Sequence, residues 1–337
     1  MLEISAPSTI HRVSLIVPTY NAGQAWADFI LALQSQTLSL EDESGVKCPV
    51  GIDVTIIDSS STDNTAVLSR AAGFEVLVID KQSFDHGGTR QIAFEHIFRK
   101  SQEGQTYTWV VFMTQDAVLS DPSSLAQLLS GFKNGQVGVS FGRQLPHPTA
   151  TLLSAHARGF NYPEHSCLKS MDDKAALGIK TAFCSNSFAA YRVDVLAQIG
   201  GFPKRVILGE DMYTAAKILQ QGYSVAYVSE ACVYHSHNYT LIEDFKRYFD
   251  TGVFHAEESW ILEAFGVPTD EGKRFVLSEL GLLKNLPWIQ RAQLLFEISM
   301  RTALKFLGYH LGKQHAHVPL FLKRRMGLFK AYWTLRA

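Results

Sequence analysis

The apolar run Trp109–Met113 stops abruptly at Thr114, Gln115 and Asp116. β-Branched and aromatic residues in one short run predict a strand buried on both faces, so the polar stop delivers a carboxylate to its carboxyl end. Ligands bind at that edge in open α/β sheets, which makes Asp116 a site candidate; the plain alternative is a residue that only ends the strand. The pattern recurs where Ile52–Ile57 ends in Asp58, followed by Ser59-Ser-Ser-Thr-Asp63, side chains that suit a helix N-cap. Gly87 and Gly88, at the start of another helix, would allow close backbone approach, with amides that favour a phosphate and Arg90 adding charge; the plainer alternative is a structural turn. Glu210 and Asp211 open an amphipathic helix that stops at Gly222, where acids can act on a substrate or simply complement the helix dipole. His235 and His237, two apart in an extended segment, would face the same way, as metal ligands do; the plain alternative is a pair of histidines unrelated to metal.

The elements that must position these groups alternate. Val13–Val17 reads as a strand broken by Pro18, which with Thr19, Tyr20 and Asn21 forms a loop before a helix over Ala22 to Gln36. Phe74–Ile79 is a further strand, and a helix follows Asp85–Arg90 to about Lys100. This alternation predicts βαβ units, a mostly parallel sheet and right-handed crossovers, with Asp58, the Asp85–Arg90 loop and Asp116 on one edge. A helix to Phe132 and a strand over Val137–Phe141 come next, then loops and short helices to about Ile179. Ala182–Ala190 mixes small and apolar residues, as expected of buried backbone near a site. Tyr223–Val228 is a strand, and Ala231–Tyr234 leads into the histidines. From Leu241 the pattern is helical: Leu241 to Phe265, Glu271 to Leu283, Trp288 to Leu311 and Leu320 to Leu335.

Composition sets bounds on function. The chain has 337 residues, 46% hydrophobic and 19% charged, ordinary values for a globular protein. Its formal net charge of -1 hides an asymmetry, because from Lys284 onward ten Lys and Arg face the single acid Glu297. Cys48, Cys167, Cys184 and Cys232 show no zinc or disulfide spacing. The start, Met1 to Pro7, lacks a basic segment followed by an apolar core, and no run is long enough to cross a bilayer. A cytoplasmic protein is expected, with peripheral membrane contact and no nucleic-acid partner.

Taken together, Val17-Pro-Thr-Tyr-Asn21, Ile57-Asp-Ser-Ser-Ser-Thr-Asp-Asn-Thr65, Thr114-Gln-Asp116, Gly200-Gly-Phe202, Gly209-Glu-Asp211 and Val233-Tyr-His235 resemble, in order, the landmarks of inverting family 2 glycosyltransferases. The resemblance implies an α/β GT-A fold, Rossmann-like, over residues 1–240, with a C-terminal helical extension over 241–337. Within that family, Ser83-Phe-Asp-His-Gly-Gly-Thr-Arg90, Thr114–Ala117 and Tyr234–Tyr239 are similar to bacterial rhamnosyltransferases that use dTDP-L-rhamnose to build O-antigens, capsules or lipopolysaccharide cores.

The resemblance also implies roles. Pro18, Thr19 and Tyr20 would line the base pocket, Asn21 and Ser60 would belong to the same nucleotide-sugar site, and Asp58 would accept from the pyrimidine or ribose. Asp85, His86, Gly88, Arg90 and Gln115 would complete the nucleotide-sugar site. Asp116 matches the second Asp of the Asp-x-Asp motif that holds Mg²⁺ or Mn²⁺ on the diphosphate; Thr114 replaces the first, so fewer protein charges hold the ion. His235 would join Asp116, with His237 second to it. Asp211 matches the general base and Glu210 would orient it. Asn186, His237 and Arg247 are the acceptor-side candidates. Gln91 stands where relatives carry Asn, and Ser59 where they carry a second acid. The acceptor implied is a lipid-linked or lipopolysaccharide glycan. The resemblance fades after about residue 255. From composition, the basic, aromatic helical tail would either meet an anionic membrane surface, on the cytoplasmic face of the inner membrane, or dock on the body with its basic face in solvent, and a homodimer is a further expectation. The competing expectations are the same chemistry with a UDP-hexose or GDP-mannose, or a non-catalytic nucleotide-sugar-binding protein. A nucleotidyltransferase is disfavoured, since Val17–Asn21 lacks its Gly-rich, basic signature.

Overall fold

The computed structural model describes residues 12–41, 47–103, 107–266 and 269–334. The Met1 to Pro7 start and the Leu335 end of the expected last helix lie outside them. In chain order the strands are β1 (Arg12–Thr19), β2 (Ser39–Glu41), β3 (Lys47–Pro49), β4 (Gly51–Asp58), β5 (Glu75–Val78), β6 (Trp109–Met113), β7 (Val118–Leu119), β8 (Val137–Leu145), β9 (Cys167–Lys169), β10 (Phe188–Arg192) and β11 (Ser224–Tyr234). Strands β2 and β3 form a separate hairpin, while the main sheet runs β5-β4-β1-β6-β10-β8-β11-β7, with β9 also against β11.

Strands β5, β4, β1, β6, β8 and β11 run one way, and β10, β7 and β9 the other. The sheet is therefore mostly parallel, as expected, but one central strand is reversed. Strand β10 was not legible in its small-residue segment. Its reversal matters, because β10 pairs antiparallel with β6 and brings its amino end, beside Asn186, to the edge where β6 releases Asp116. Strand β1 also differs from expectation: it continues through Pro18 and Thr19, paired with Ile57 and Asp58. The β6 ladder on its other side ends at Ile16, so a missing N–H at Pro18 leaves no gap there. Tyr223–Val228 and Ala231–Tyr234 join into one bulged strand, β11, and the Leu241–Phe265 and Leu320–Leu335 helices each break in two.

Alternate residues of β6 enter opposite cores. Val110 and Phe112 pack with the helices His86–Gln102 and Glu210–Gln220, while Val111 and Met113 pack with Ala25–Gln34 and Ser124–Ser130. Phe112 is fully buried between the edges of Tyr191 and Phe202, at 6.0 and 4.9 Å, so truncation to Ala would cost about 3–5 kcal/mol. Phe249, Val253 and Phe254, from helix Leu241–Glu257, share the core of Phe112. That helix starts at a reciprocal cap between Thr240 and Glu243 and crosses helix Trp288–Lys313 closely. The crossing needs glycine: a Cβ on Gly312 would stand 2.1 Å from the Phe249 carbonyl oxygen. Among the described residues, no helix is long and apolar enough to cross a membrane.

Candidate active site

At the carboxyl edge, the loops after β1 and β4 are fastened to each other. The Asn21 amide donates to Ser61 Oγ at 2.8 Å, and Asn21 Oδ1 accepts from the Thr62 amide at 2.8 Å. Asn21 sits at φ +44° and Ser60 at φ +57°, a left-handed conformation that these cross-links hold in place. Asp58 is buried and accepts from Thr19 Oγ1 at 3.0 Å and from the Ser61 amide and hydroxyl at 2.9 and 2.6 Å. Gln115 brackets the backbone of Tyr20, accepting from its amide at 2.8 Å and donating to its carbonyl at 3.2 Å. Lys81, a residue the sequence reading missed, donates to the Tyr20 hydroxyl at 2.6 Å and lies 4.2 Å from its ring centre. Pro18, Thr19, Tyr20, Gln115 and Asp58 are thus assembled together. Ser60 is turned away, its hydroxyl bonded to the Ile79 carbonyl at 2.7 Å, and Asn21 serves as the staple between the loops.

Where β6 and β11 end, Asp116, His235 and His237 come together, with one ligand atom of each within 4.8 Å of the others. Asp116 Oδ2 lies 3.4 Å from His235 Nε2 and 3.7 Å from His237 Nε2. Burial pushes the Asp116 carboxyl up, but the hydrogen bond and charge of His235, with Thr114 and His237, outweigh it and hold the group well below the usual carboxylate range. Burial, then the charge of His235, pushes His237 down to about 4, which keeps its lone pair free. His237, expected on the acceptor side and only second to His235 as a ligand, completes the cluster.

Behind His235 stands Gln144, which the sequence does not mark, because the apolar run stops at Phe141 while the strand continues to Leu145. Gln144 is buried; its Oε1 receives His235 Nδ1 at 2.9 Å and also Arg158 Nη1, while its Nε2 donates to Ser185 Oγ at 2.8 Å. An oxygen that accepts both bonds holds a proton on His235 Nδ1, so Nε2 is the ring nitrogen turned to Asp116 and the one that would ligate an ion.

The third group is Glu210 and Asp211, at the start of helix Glu210–Gln220. Their environments differ. Glu210 is buried, 3.1 Å from Arg90 Nη1, and receives Asn186 Nδ2 at 3.1 Å. Burial alone would raise it, but Arg90 and His86 outweigh that and keep it ionised. Among the described residues, Asp211 accepts only from the Met212 and Asn186 amides, at 2.8 and 3.2 Å. Burial, followed by the charge of Glu210, pushes its carboxyl up to about 6. A carboxylate of that basicity suits a general base near neutral pH.

Several expected ligand contacts are replaced by internal ones. Arg90, expected at the diphosphate, is almost fully buried in its pair with Glu210 and donates to the His86 carbonyl at 2.9 Å. The Gly88 amide donates to Asp85 at 2.8 Å rather than facing a phosphate. A Cβ on Gly87 would stand 1.9 Å from the Pro203 carbonyl oxygen, so the close approach that glycine allows is to the chain itself. Asp85 caps the helix and accepts from the Arg205 amide at 2.8 Å. The His86 imidazole, pushed down to about 4 by burial, meets Phe84 and the tail residue Phe329 edge-on, at 5.2 and 4.4 Å. Asn186, expected on the acceptor side, is buried, and its amide is taken up by Glu210 and by the Tyr191 hydroxyl at 2.7 Å. These residues build the scaffold under the acids. Arg247 differs: no carboxylate pairs with it among the described residues, and its charge acts on His237 and Tyr239.

The model of glycosyl transferase family 2 matches residues 14–200, and that of glycosyl transferase family group 2 matches residues 109–312. The chain is 45% identical over 326 residues to O-antigen chain rhamnosyltransferase RfbN of Salmonella typhimurium, covering 96% of each chain. It is 46% identical to O-antigen chain rhamnosyltransferase WbaN of Salmonella anatum, covering 95% of each. The solved structure of mannosyltransferase PcManGT from Pyrobaculum calidifontis, in complex with GDP-Man and Mn²⁺, is similar at 17% identity with a TM-score of 0.57, covering 91% of this chain and 88% of that one. That likeness concerns the fold, which is the GT-A fold. Match length and identity agree with the order of the sequence landmarks, and the chain belongs to the family 2 glycosyltransferases.

Proposed function

We propose that the protein is an inverting rhamnosyltransferase that moves L-rhamnose from dTDP-β-L-rhamnose to a hydroxyl of a lipid-linked O-antigen or lipopolysaccharide glycan. The observation that carries the reaction type is the unequal pair at one helix start: Glu210 held ionised by Arg90, and Asp211 raised to about 6. The donor sugar is inferred from the rhamnosyltransferases that share about half the residues of this chain along nearly its whole length.

In this reading residues 1–240 bind the donor and 241–337 form a helical region that completes the site. Pro18, Thr19 and Tyr20 line the base pocket, Asp58 accepts from the pyrimidine or ribose, and Lys81 adds positive charge beside Tyr20. The acceptor oxygen attacks the anomeric carbon as the bond to the diphosphate breaks on the opposite face. Its proton passes to Asp211 while the new bond forms, since an alcohol is too weak an acid to ionise beforehand. Glu210 and Asn186 hold that carboxylate in place. Arg247, which pairs with no acid among the described residues, takes the diphosphate role first expected of Arg90.

Asp116, His235 and His237 fit a divalent ion, because one ligand atom of each lies within 4.8 Å of the others and the Gln144 bond turns His235 Nε2 to the carboxylate. An ion held there would stabilise negative charge on the departing diphosphate. Two imidazoles suit a transition ion better than Mg²⁺, which prefers an all-oxygen set, so Mn²⁺ is the better fit of the two expected.

The test is a thermal-shift comparison of dTDP-L-rhamnose, UDP-glucose and GDP-mannose with Mn²⁺, followed by transfer to a lipid-linked glycan and NMR of the new linkage. Selective stabilisation by dTDP-L-rhamnose and an α-linked product support the reading. Preference for another donor, or a retained β configuration, overturns it.

A further inference from the structure

The helix Trp288–Lys313 is apolar on two sides. Its inner side, Leu294, Ile298, Gly308 and Gly312, is buried against the body. Among the described residues nothing covers its outer side: Trp288, Phe296 and Phe306 are 78%, 68% and 67% exposed, and Ile289, Met300 and Leu307 continue the patch. Positions 289, 296, 300 and 307 fall on one stripe at helical spacing. An outward aromatic and aliphatic face of this length exceeds the scattered apolar residues of an ordinary surface.

Charge identifies the occupant. Exposed Arg291 and Lys313 flank the stripe, and Lys323, Arg324 and Arg325 follow it. The sole acid from Lys284 onward, Glu297, is already paired with Arg301 at 2.8 Å. A second copy of this face would bring like charges together, whereas an anionic lipid surface would meet both the apolar stripe and its basic flanks.

We infer that the outer face of helix Trp288–Lys313 is a docking plane for an anionic lipid leaflet. The same helix reaches the cation-binding loop from its inner side. Arg301 pairs with Asp244 and donates to the Tyr239 carbonyl at 2.9 Å, and Tyr239 stacks on His237 at 5.2 Å. Docking therefore sets the leaflet and the loop carrying His235 and His237 on opposite sides of one rigid helix, as suits an acceptor carried on a lipid. Only this last consequence rests on the proposed function.

The test is co-sedimentation of the full chain with vesicles of phosphatidylethanolamine and phosphatidylglycerol against vesicles of phosphatidylcholine, with neither donor nor acceptor present. Binding is expected to the anionic vesicles alone and to weaken as salt rises. Phe296→Glu and Leu307→Glu, at exposed positions where folding has little at stake, should each weaken it roughly tenfold. Leu31→Glu, 64% exposed on helix Ala25–Gln34, should leave it unchanged. Absent binding, indifference to anionic lipid, or equal loss with Leu31→Glu would overturn the inference. So would a solution dimer that Phe296→Glu dissociates, since the face would then be a subunit interface. Donor thermal shifts need no vesicles, so this plane and the proposed activity can fail separately.

Discussion

Arg90 Nη1 lies 3.1 Å from Glu210 Oε1, both side chains nearly sealed from solvent, and the pair sets the charge next to Asp211. Glu210 stays ionised because the guanidinium is there. Its charge then adds to burial in raising Asp211, so two adjacent acids become a fixed anion and a base that can exchange a proton near neutrality.

Asp211→Asn should lose turnover by roughly 10²–10⁴-fold with donor affinity unchanged, because the amide keeps the shape of the site but accepts no proton. Steady-state rates and donor titration check this. Near-normal transfer by the variant would remove Asp211 from the base role.

The acid limb of activity should lie near pH 6. Asp211 acts ionised, so kcat/KM falls as pH drops through its raised value of about 6. Glu210→Gln removes the neighbouring negative charge that helps raise Asp211, so the limb should move to lower pH. The same change leaves Arg90 buried without its partner, which would cost about 3–5 kcal/mol in chemical denaturation. A limb that stays put or moves upward would contradict the coupling.

Much of this site was legible because strand ends are legible. An apolar run that stops at a carboxylate gave Asp58 and Asp116, and the helix-start pattern gave Glu210 and Asp211. Direction along the sheet was harder to read. Strand β10 is reversed, and nothing in Phe188–Arg192 encodes direction, so Asn186 was expected to meet substrate when it instead clamps the acids from behind. The Gly87 and Gly88 segment left a phosphate site and a structural turn open, and the structure takes the turn. Glycine permits close approach, but the sequence does not say what approaches, and here it is Pro203 and Asp85. Gln144 and Lys81 act through partners distant in sequence, and no local spacing reveals them.

Arg90 and Arg247 should separate by variant. Arg90→Ala strands Glu210 as a buried anion and should lower stability by about 3–5 kcal/mol, read by denaturant unfolding. Arg247→Ala breaks no ion pair among the described residues, so it should keep its fold while losing roughly tenfold in donor affinity or turnover. If Arg247→Ala instead unfolded and Arg90→Ala stayed folded with weakened donor binding, the exchange of roles proposed for these residues would be wrong.

Gln144 should control cation affinity without touching the cation. Its Oε1 accepts from both His235 Nδ1 and Arg158, and an oxygen in that position cannot donate back, so Nδ1 keeps its proton and Nε2 is the nitrogen held toward Asp116 for an ion to bind. Gln144→Ala removes the acceptor, frees the ring to turn or change tautomer, and should weaken Mn²⁺ binding by roughly 10–100-fold. Gln144→Glu keeps an acceptor in the same place, with Arg158 to balance its charge, and should retain binding. Titration of Mn²⁺ by electron paramagnetic resonance, without donor, reads both variants apart from activity. A structural role alone would make the two variants equally weak or leave both unchanged; only orientation of His235 separates alanine from glutamate.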